Sequence, residues 1–397
     1  MTLEQVPASE RVHIGFFGAR NAGKSSLVNA LTGQEVSIVS PVAGTTTDAV
    51  GKSMELLPLG PVYLIDTAGF DDDDEALGAQ RIERTKRELY RTDIAVLVAD
   101  AAKPLGETER ALCALFAEQQ IPFLTVLNKS DTLAARPEDL PANTLAVSAQ
   151  TGEGIEELKN RLGALAGQDA PERYILRDLV GAGETVVLVC PIDESAPKGR
   201  LILPQQQTLR ELLDAHANAV VVQPGELPGI LAALRTPPRM VVTDSQAFAE
   251  AAKAVPETVP LTSFSILMAR YKGFLDAAVQ GVETLKTLPD GANLLIAEGC
   301  THHRQCNDIG TVKLPRAIRK LTGKAFSMHY CSGGSFPEDL SEVDLVIHCG
   351  GCMRTERELR WRMRTALSQG VPFTNYGVTL AACTGILDRA LRLPSAR

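Results

Sequence analysis

A glycine-rich loop with the spacing Gly-x-x-x-x-Gly-Lys-Ser occupies residues 18–25 and follows a short apolar segment. Gly18 and Gly23 allow the backbone to curl so that successive N–H groups point at phosphate oxygens. Lys24 adds a positive charge, and Ser25 supplies a hydroxyl for Mg²⁺. The loop therefore predicts a binding site for the phosphate chain of a nucleotide.

Two further segments carry groups suited to the metal and to the terminal phosphate. Asp66-Thr67-Ala68-Gly69 follows the apolar run 62–65, so Asp66 is expected at a strand end, where it holds a water of Mg²⁺, with the Gly69 N–H near the phosphate. The loop Gly44-Thr45-Thr46-Thr47-Asp48 offers a threonine hydroxyl that completes the Mg²⁺ shell only while the terminal phosphate is present. Residues 44–48 are therefore predicted to form a switch.

Two later motifs select the base. In Asn128-Lys129-Ser130-Asp131, the carboxylate accepts from both N1–H and the exocyclic amine of guanine, a pair of donors that adenine lacks. Ser148-Ala149-Gln150-Thr151-Gly152 places a backbone N–H on guanine O6. The predicted nucleotide is GTP.

Short runs rich in Val, Ile and Leu recur in the first part of the chain, as expected for buried parallel strands. The predicted fold is α/β, with an N-terminal P-loop GTPase domain at 1–168 followed by two smaller α/β units at 172–265 and 270–397. The middle unit has no phosphate loop and no metal spacing, so Cys190 and His216 are expected to be packing residues and the unit to carry a homodimer contact. The strands predicted in the first domain are 12–17, 62–65, 94–99, 123–127 and 145–147.

Composition narrows the class of protein. The 397 residues carry a formal net charge of −8 and 5% aromatic residues, which disfavours nucleic acid as a partner. The sequence lacks a signal-peptide core and an apolar run of the ~18 to 20 residues that a membrane span needs, so we expect a cytoplasmic protein with no membrane partner. Six of the eight cysteines lie from residue 300 onward, which indicates metal chemistry there rather than a disulfide framework.

Two predicted strands in the last part of the chain end in cysteine. One runs from Asn293 towards Cys300, and the other runs from Asp344 to Cys349, with Cys352 three residues later. If both strands belong to one parallel sheet, their carboxyl ends share an edge and the three thiols meet. Two residues between thiolates allow both to face one metal centre, and these ligands suit a zinc site and an iron–sulfur cluster about equally.

The first 165 residues resemble the translation-factor-like GTPases of the TrmE-Era type. The resemblance implies that Thr46 is the magnesium threonine and that Asn21 matches the asparagine with which cation-dependent members hold K⁺. The alternative for Asn21 is that it tolerates a tight turn. Phe70 follows Gly69 where many GTPases have the glutamine that orients water, so we expect slow GTP hydrolysis that K⁺ stimulates.

The predicted nucleotide site draws on all of these motifs. Its catalytic residues are Lys24, Thr46, Asp66 and Gly69. Mg²⁺ is assigned to Ser25 and Thr46, and K⁺ to Asn21. The residues predicted to bind GTP are Asn21, Ala22, Gly23, Lys24, Ser25, Ser26, Thr46, Asp66, Gly69, Asn128, Lys129, Asp131, Ser148 and Ala149.

Over nearly its full length the sequence resembles the HydF family of FeFe-hydrogenase maturation GTPases. The resemblance rests on Cys300-Thr301-His302 and His348-Cys349-Gly350-Gly351-Cys352, which match the family's C-x-H and H-C-x-x-C signatures. It implies that Cys300, Cys349 and Cys352 hold a 4Fe–4S cluster with a labile fourth position. It also implies a scaffold that accepts a diiron precursor from two radical-SAM maturases and delivers it to apo FeFe-hydrogenase.

The fourth iron ligand stays open between His302 and His348. A strand that continued through Cys349 would turn His348 to the opposite face, whereas His302 would share the face of Cys300, two residues away. The alternative function is that of a zinc-containing GTPase in tRNA modification or ribosome assembly, which the acidic charge disfavours. The neighbouring residues expected to be structural or supporting are His303, Cys306, His329, Cys331 and Cys383.

Overall fold

The computed structural model describes residues 10–33, 50–57, 59–67, 88–135, 139–167, 173–192, 199, 201–299 and 308–396. The chain divides into two compact units, Met1–Pro171 and Glu172–Arg397. No helix in these described ranges is long and apolar enough to cross a membrane.

The first unit contains a sheet of six strands in the order β2-β3-β1-β4-β5-β6. All neighbouring strands run parallel except β2, which is antiparallel to β3. The strands are β1 Val12–Phe17, β2 Val50–Leu56, β3 Gly60–Asp66, β4 Ile94–Asp100, β5 Phe123–Asn128 and β6 Thr144–Ala146, and the helices are α1 Lys24–Thr32, α2 Glu107–Glu118 and α3 Ile155–Gly167. The five predicted strands are confirmed to within two residues, and the α/β P-loop fold is confirmed.

Helices cover both faces of this sheet, which explains its uninterrupted apolar strands. Successive strand residues point to opposite faces, so Phe16 belongs to the apolar cluster that contains Leu27, and Phe17 to the one that contains Phe116. Both phenylalanine side chains of β1 are fully buried. The two packed layers fix the carboxyl ends of the strands, where the nucleotide motifs lie.

The second unit contains two parallel sheets of four strands. Their orders are β10-β9-β7-β8 and β12-β11-β13-β14. The strands are β7 Thr185–Val189, β8 Asn218–Val222, β9 Met240–Thr243, β10 Leu261–Ser263, β11 Asn293–Glu298, β12 Ser327–Ser332, β13 Leu345–His348 and β14 Phe373–Asn375. The helices are α4 Leu203–Asp214, α5 Leu227–Ala233, α6 Phe248–Ala254, α7 Phe264–Tyr271, α8 Leu275–Thr287, α9 Leu314–Thr322, α10 Glu356–Ser368, α11 Tyr376–Cys383 and α12 Leu387–Ala390.

These two sheets share one topology. Numbered within its own sheet, each set of four strands lies in the spatial order 2-1-3-4. In both sheets the residue after the third strand donates a backbone hydrogen bond to the first strand: Asp244 N to Val189 O at 3.2 Å, and Cys349 N to Ala297 O at 2.8 Å. Asp244 and Cys349 therefore occupy equivalent positions.

The helices that follow the fourth strands repeat as well. Helix α7 begins after Ser263 and helix α11 after Asn375, and each of these side chains accepts a hydrogen bond from the N–H three residues on. Each helix is followed by a glycine with φ of 74°. The sequences there are Gly-Phe-Leu-Asp-Ala-Ala at 273–278 and Gly-Ile-Leu-Asp-Arg-Ala at 385–390. The second unit is thus built from two copies of one α/β pattern.

The two copies share an apolar core. One cluster of buried side chains joins Phe248 and Ile266 of the first copy to Phe373 and Val378 of the second. Phe274, which lies between the copies in sequence, packs edge-on against Phe373 in the same cluster. Each sheet also packs against an apolar cluster of its own, so the shared cluster joins two cores.

Candidate nucleotide and metal sites

The phosphate loop has the tight curl that its glycines predict. Gly18 has φ of 144° and Gly23 has φ of 91°. A Cβ on Gly18 would lie 2.1 Å from Val98 O, so no other residue fits against β4 there. Asn21 also has a positive φ, 62°. A role in the tight turn is enough to explain an asparagine with this backbone conformation.

Lys24 crosses this loop. It is the first residue of α1 and is buried, and its Nζ donates to Gly18 O at 3.0 Å and to Ala19 O at 2.9 Å. The first turn of α1 has no acidic residue, and Ser25 and Ser26 are exposed there. A helix N-terminus and an ammonium at one loop form an attractive site for a phosphate anion.

Ser25 and Asp66 come together as a candidate magnesium site. The Ser25 hydroxyl donates to Asp66 Oδ2 at 2.5 Å. Burial raises the pKa of the Asp66 carboxyl, while the bond from Ser25 and the charge of Lys24 act in the opposite direction. Asp66 Oδ1 is buried and finds no hydrogen-bond partner among the described residues. An oxygen left in this way, next to a hydroxyl, fits a Mg²⁺ ion with its coordinated water. Thr46 and Gly69, the other residues predicted here, lie outside the described residues.

Asn128 connects the phosphate loop to the guanine motifs. Its buried amide donates to Ala22 O at 3.1 Å and accepts from Ala149 N at 3.0 Å. A Cβ on Gly23 would lie 2.2 Å from Asn128 Nδ2, so the glycine also makes room for this bridge. The sequence motif identified Asn128 only as part of base recognition.

The remaining base-site residues surround the same strand end. Lys129 has a left-handed φ of 65° and its Nζ pairs with Asp100 at 2.7 Å. The hydrogen bond from Lys129 holds the pKa of the Asp100 carboxyl below its usual range. Asp131 is exposed, as a residue that meets the edge of a base must be, whereas Ser148 is buried and accepts from Thr151 N at 3.1 Å. The sequence analysis did not single out Asp100, although it directly follows the predicted strand 94–99.

The second candidate site lies at the carboxyl ends of strands β11 and β13. Strands β11 and β13 are parallel neighbours, with Ala297 opposite His348, so the predicted common sheet edge is confirmed. Cys349 Sγ accepts from Gly299 N at 3.0 Å and from Gly351 N at 3.4 Å. The last described residue before Cys300 thus contacts the Cys349 sulfur.

The cysteine turn depends on glycine. Gly351 has φ of 60°, and a Cβ on it would lie 2.6 Å from the side chain of Leu359. Burial raises the pKa of both the Cys349 and the Cys352 thiols. Backbone N–H donors oppose this shift at Cys349, and the charge of Lys272 opposes it at Cys352. Sulfurs surrounded by N–H donors and a cation fit a metal–thiolate centre.

Part of the predicted ligand set is outside the described residues, namely Cys300, His302, His303 and Cys306. Within the described part of the chain, no group of three His, Cys, Asp or Glu side chains that could hold a metal comes together. The site therefore offers two described thiols, and its third predicted thiol follows Gly299 directly in sequence.

His348 is fully buried and held at both ring nitrogens. Its Nδ1 lies 2.7 Å from Cys349 O and its Nε2 lies 3.0 Å from the Arg362 guanidinium. The carbonyl requires a donor and the guanidinium an acceptor, so the ring is neutral with its proton on Nδ1. Burial and the charge of Arg362 lower the pKa of His348 to about 3. This arrangement leaves His348 no lone pair for a metal.

Buried charged side chains pack against the residues that adjoin the cysteine loop. Arg362 is 1% exposed and pairs with Glu358 at 2.7 Å, and Arg354 pairs with the same carboxylate at 3.1 Å. Arg354 Nε also donates to Gly299 O. Burial lowers the pKa of Lys272 to about 8, against the raising effect of Cys352 and Cys349. Sequence analysis missed these cations, although Arg354, Glu358 and Arg362 follow a four-residue helical spacing.

Among the described residues of the second unit, the remaining cysteines, Cys190, Cys331 and Cys383, lie in apolar surroundings. Burial raises the pKa of Cys190 to about 12 and of Cys331 and Cys383 to about 11. Each belongs to, or packs against, an apolar cluster. His329 is exposed, and its Nε2 lies 3.3 Å from Asn293 Oδ1. These contacts agree with the structural roles expected for them.

Comparison with protein families identifies the second unit. The hydrogen maturase F dimerization domain matches residues 175–273, and the hydrogen maturase F tetramerization domain matches residues 276–393. The chain belongs to the hydrogen maturase F family. The names of these two domains support self-association of the hydrogen maturase F chain. In its first unit, residues 13–129 match the 50S ribosome-binding GTPase family.

Curated relatives match about two fifths of this hydrogen maturase F chain. The tRNA modification GTPase MnmE of Bordetella petrii is 40% identical over 158 residues, which are 40% of the chain and 34% of the relative. MnmE of Dechloromonas aromatica is 34% identical over 171 residues, or 42% of the chain and 38% of the relative. The chain thus spans about a third of the length of the relatives it matches, and the tRNA-modification alternative is not favoured.

Solved structures of GTPases are similar to part of this chain. A probable GTP-binding protein engB has 25% identity and a TM-score of 0.31, and it covers 40% of the chain and all of its own length. Aquifex aeolicus Era bound to GDP and AlF₄⁻ has 20% identity and a TM-score of 0.34, and it covers 61% of the chain and 97% of its own length.

Proposed function

We propose that this member of the hydrogen maturase F family hydrolyses GTP and acts as a scaffold and carrier in assembling the FeFe-hydrogenase cofactor. It holds a 4Fe–4S cluster on Cys300, Cys349 and Cys352, with His302 as the favoured fourth ligand. It accepts a diiron precursor from two radical-SAM maturases and delivers it to apo FeFe-hydrogenase in the cytoplasm. Self-association as at least a homodimer is part of the proposal.

One observation carries the cluster assignment. In a hydrogen maturase F chain, Cys349 Sγ lies at a sheet edge and accepts hydrogen bonds from Gly299 and Gly351. Such N–H donors stabilise a thiolate and orient it for a metal. When bound, the cluster offers an iron position at which a precursor can attach. Cys349 and Cys352 hold it, and the engaged ring of His348 fixes the Cys349 carbonyl.

The nucleotide site supplies the switching chemistry. Lys24 and the N-terminus of α1 bind the phosphate chain, and Ser25 and Asp66 position Mg²⁺. Thr46 and Gly69 contact the terminal phosphate of GTP. Loss of that phosphate on hydrolysis removes these contacts from the loop 44–48 and from the segment that follows Gly69. Such a switch biases contact with a partner, and we propose that GTP governs partner release rather than cluster chemistry. The domain division 1–168, 172–265 and 270–397 belongs to this proposal.

The test of the cluster is the absorption spectrum of anaerobically purified protein. We expect a brown protein with a broad band near ~400 nm, because thiolate-to-iron charge transfer colours such centres. Iron, sulfide and zinc are measured on the same sample. A colourless protein with stoichiometric zinc would instead support the zinc-containing GTPase.

A separate prediction concerns K⁺ and Asn21. We expect K⁺ to accelerate GTP hydrolysis where Na⁺ does not, because a cation at the phosphates replaces an arginine finger, an effect that reaches ~10³ or more. The variant Asn21→Gly retains the positive φ of the turn but removes the amide. It should therefore hydrolyse GTP equally slowly in both salts. If Asn21→Gly keeps the full K⁺ response, Asn21 serves only the turn.

A further inference from the structure

One buried lysine reaches the cysteine loop from the dimerization part of the chain. Lys272 follows the last residue of α7, within the range matched by the dimerization domain, and is 4% exposed. Its Nζ donates to Gly351 O at 2.7 Å and to Arg354 O at 3.0 Å. Gly351 stands between the two cysteines, so the ammonium is attached to the backbone of the loop that carries both thiols.

The surroundings of this ammonium suit a negatively charged centre. A buried cation is costly unless negative charge balances it. The negative groups that favour the ammonium are Cys352, Cys349, Glu356 and Glu358. Glu358 already pairs with Arg354 and Arg362. Glu356 likewise pairs with Arg173 and Arg360. Thiolate ligands at Cys349 and Cys352 in a cluster-bound protein would therefore add the negative charge that balances Lys272.

The internal repeat provides a comparison for this contact. The residue equivalent to Lys272 in the second copy is Thr384. Its hydroxyl donates to Leu380 O at 2.9 Å, within the helix that it follows, and not to the loop of the other copy. The loop equivalent to the cysteine loop begins at Asp244 and contains no thiol. The contact of Lys272 with the cysteine loop therefore has no counterpart at the equivalent position of the second copy, Thr384.

A second lysine, at a different position in the repeat, contacts the equivalent loop of the first copy. Lys313 of the second copy donates to the side chain of Gln246, which is the equivalent of Gly351. Each of the two equivalent loops therefore receives a lysine from the other copy. Lys272 contacts a loop with two thiols, and Lys313 contacts a loop with none, so Lys313 is a control for the loss of a lysine that bridges the two copies away from the thiols.

We propose that Lys272 is a positioning residue for the iron–sulfur site, where its ammonium fixes the Cys349–Cys352 loop and raises the reduction potential of the bound cluster. The inference rests on the proposed function and assigns a role at the cysteine site to the dimerization part of the chain. Positive charge beside thiolate sulfur favours the reduced, more negative cluster. Two backbone bonds from one ammonium limit the movement of the loop between its sulfurs.

The experiment compares Lys272→Gln, Lys272→Arg and Lys313→Gln in the full-length, anaerobically prepared protein. The readouts are the midpoint potential of the cluster, followed by electron paramagnetic resonance, and the rate of iron release to a chelator. Lys272→Gln should have a more negative midpoint and release iron about ten- to a hundredfold faster. Lys272→Arg should keep the wild-type midpoint but release iron faster, since a planar guanidinium does not reproduce the two carbonyl bonds. Lys313→Gln should match the wild type in both.

The outcomes separate the two proposals. If the wild-type protein contains no cluster, the proposed function fails before Lys272 is tested. If the wild-type protein contains a cluster and Lys272→Gln has the same midpoint and iron release, the role of Lys272 is overturned. Should Lys272→Gln not fold, Lys272→Arg decides, because iron release at the wild-type rate contradicts positioning by this side chain.

Discussion

A chain with serine in place of Cys349 is expected to lose its iron–sulfur spectrum and to retain GTP turnover within about twofold, since the two sites share no described residue. Cys349 and Cys352 belong to the second unit, whereas Lys24, Ser25 and Asp66 belong to the first. A serine oxygen is a poor substitute for a thiolate that holds iron. The control is Cys383→Ser, which removes a thiol of the same unit from apolar surroundings and should leave the spectrum intact.

The complementary variant is Lys24→Ala. Removing a preorganised charge donor from the phosphate loop should lower GTP turnover by about 10²- to 10³-fold, while iron content stays at the wild-type level. Iron content, GTP turnover and activation of apo FeFe-hydrogenase are measured on the same preparations of each variant. Both Cys349→Ser and Lys24→Ala should fail to activate the hydrogenase. A folded Lys24→Ala protein without its cluster would show that the sites are directly coupled.

The second large effect is expected from Asp131→Asn. An amide keeps one acceptor oxygen but presents an NH₂ donor in place of the other. One of the two guanine donors, N1–H or the exocyclic amine, is therefore left unpaired, which should cost about 2 to 4 kcal/mol in GTP binding. Asp131 is exposed, so its replacement should not disturb the fold. Titration with a fluorescent GTP analogue measures the loss.

Xanthosine triphosphate provides the matched ligand for this variant. Xanthine carries a carbonyl where guanine carries its amine, and an asparagine amide can donate to that oxygen. Asp131→Asn should therefore bind xanthosine triphosphate more tightly than the wild-type protein does. Unchanged GTP affinity together with no gain for xanthosine triphosphate would contradict the assignment of Asp131 to the base.

Local sequence predicted the features that depend on neighbouring residues. The spacing of Gly18, Gly23 and Lys24 predicted the phosphate loop. Short apolar runs predicted the parallel strands. The shared edge of β11 and β13 followed from the general geometry of parallel sheets. In each case the chemical groups lie within a few residues of a recognisable strand end.

Edge strands and long-range polar contacts were not predictable in this way. Strand β2 interrupts its apolar residues with Lys, Ser and Glu, and in β12 half of the residues are exposed and none is buried, so neither strand shows a buried apolar run. Lys272 lies 79 residues from its partner Gly351, and no local pattern indicates that pairing. The contact of Lys272 with Gly351 and the contact of His348 with Arg362 both form only when the chain has folded.

The internal repeat had a signal in the sequence that is easy to overlook. The segments 273–278 and 385–390 share glycine, leucine, aspartate and alanine at the same spacing. Six residues are too few to establish a repeat by themselves. The common strand order and the equivalent hydrogen bonds of Asp244 and Cys349 give the resemblance its structural meaning.

The shared core of the two copies determines how the second unit responds to dissection. The two family domains meet between residues 273 and 276, where Phe274 lies in the core that both copies build. Arg389 of the second copy donates to Val255 O and Pro256 O of the first copy at 2.8 Å. A fragment cut at this boundary would expose the apolar side chains of the shared cluster to water. Because residues 172–397 form one compact unit, we expect the two family domains to unfold together rather than separately.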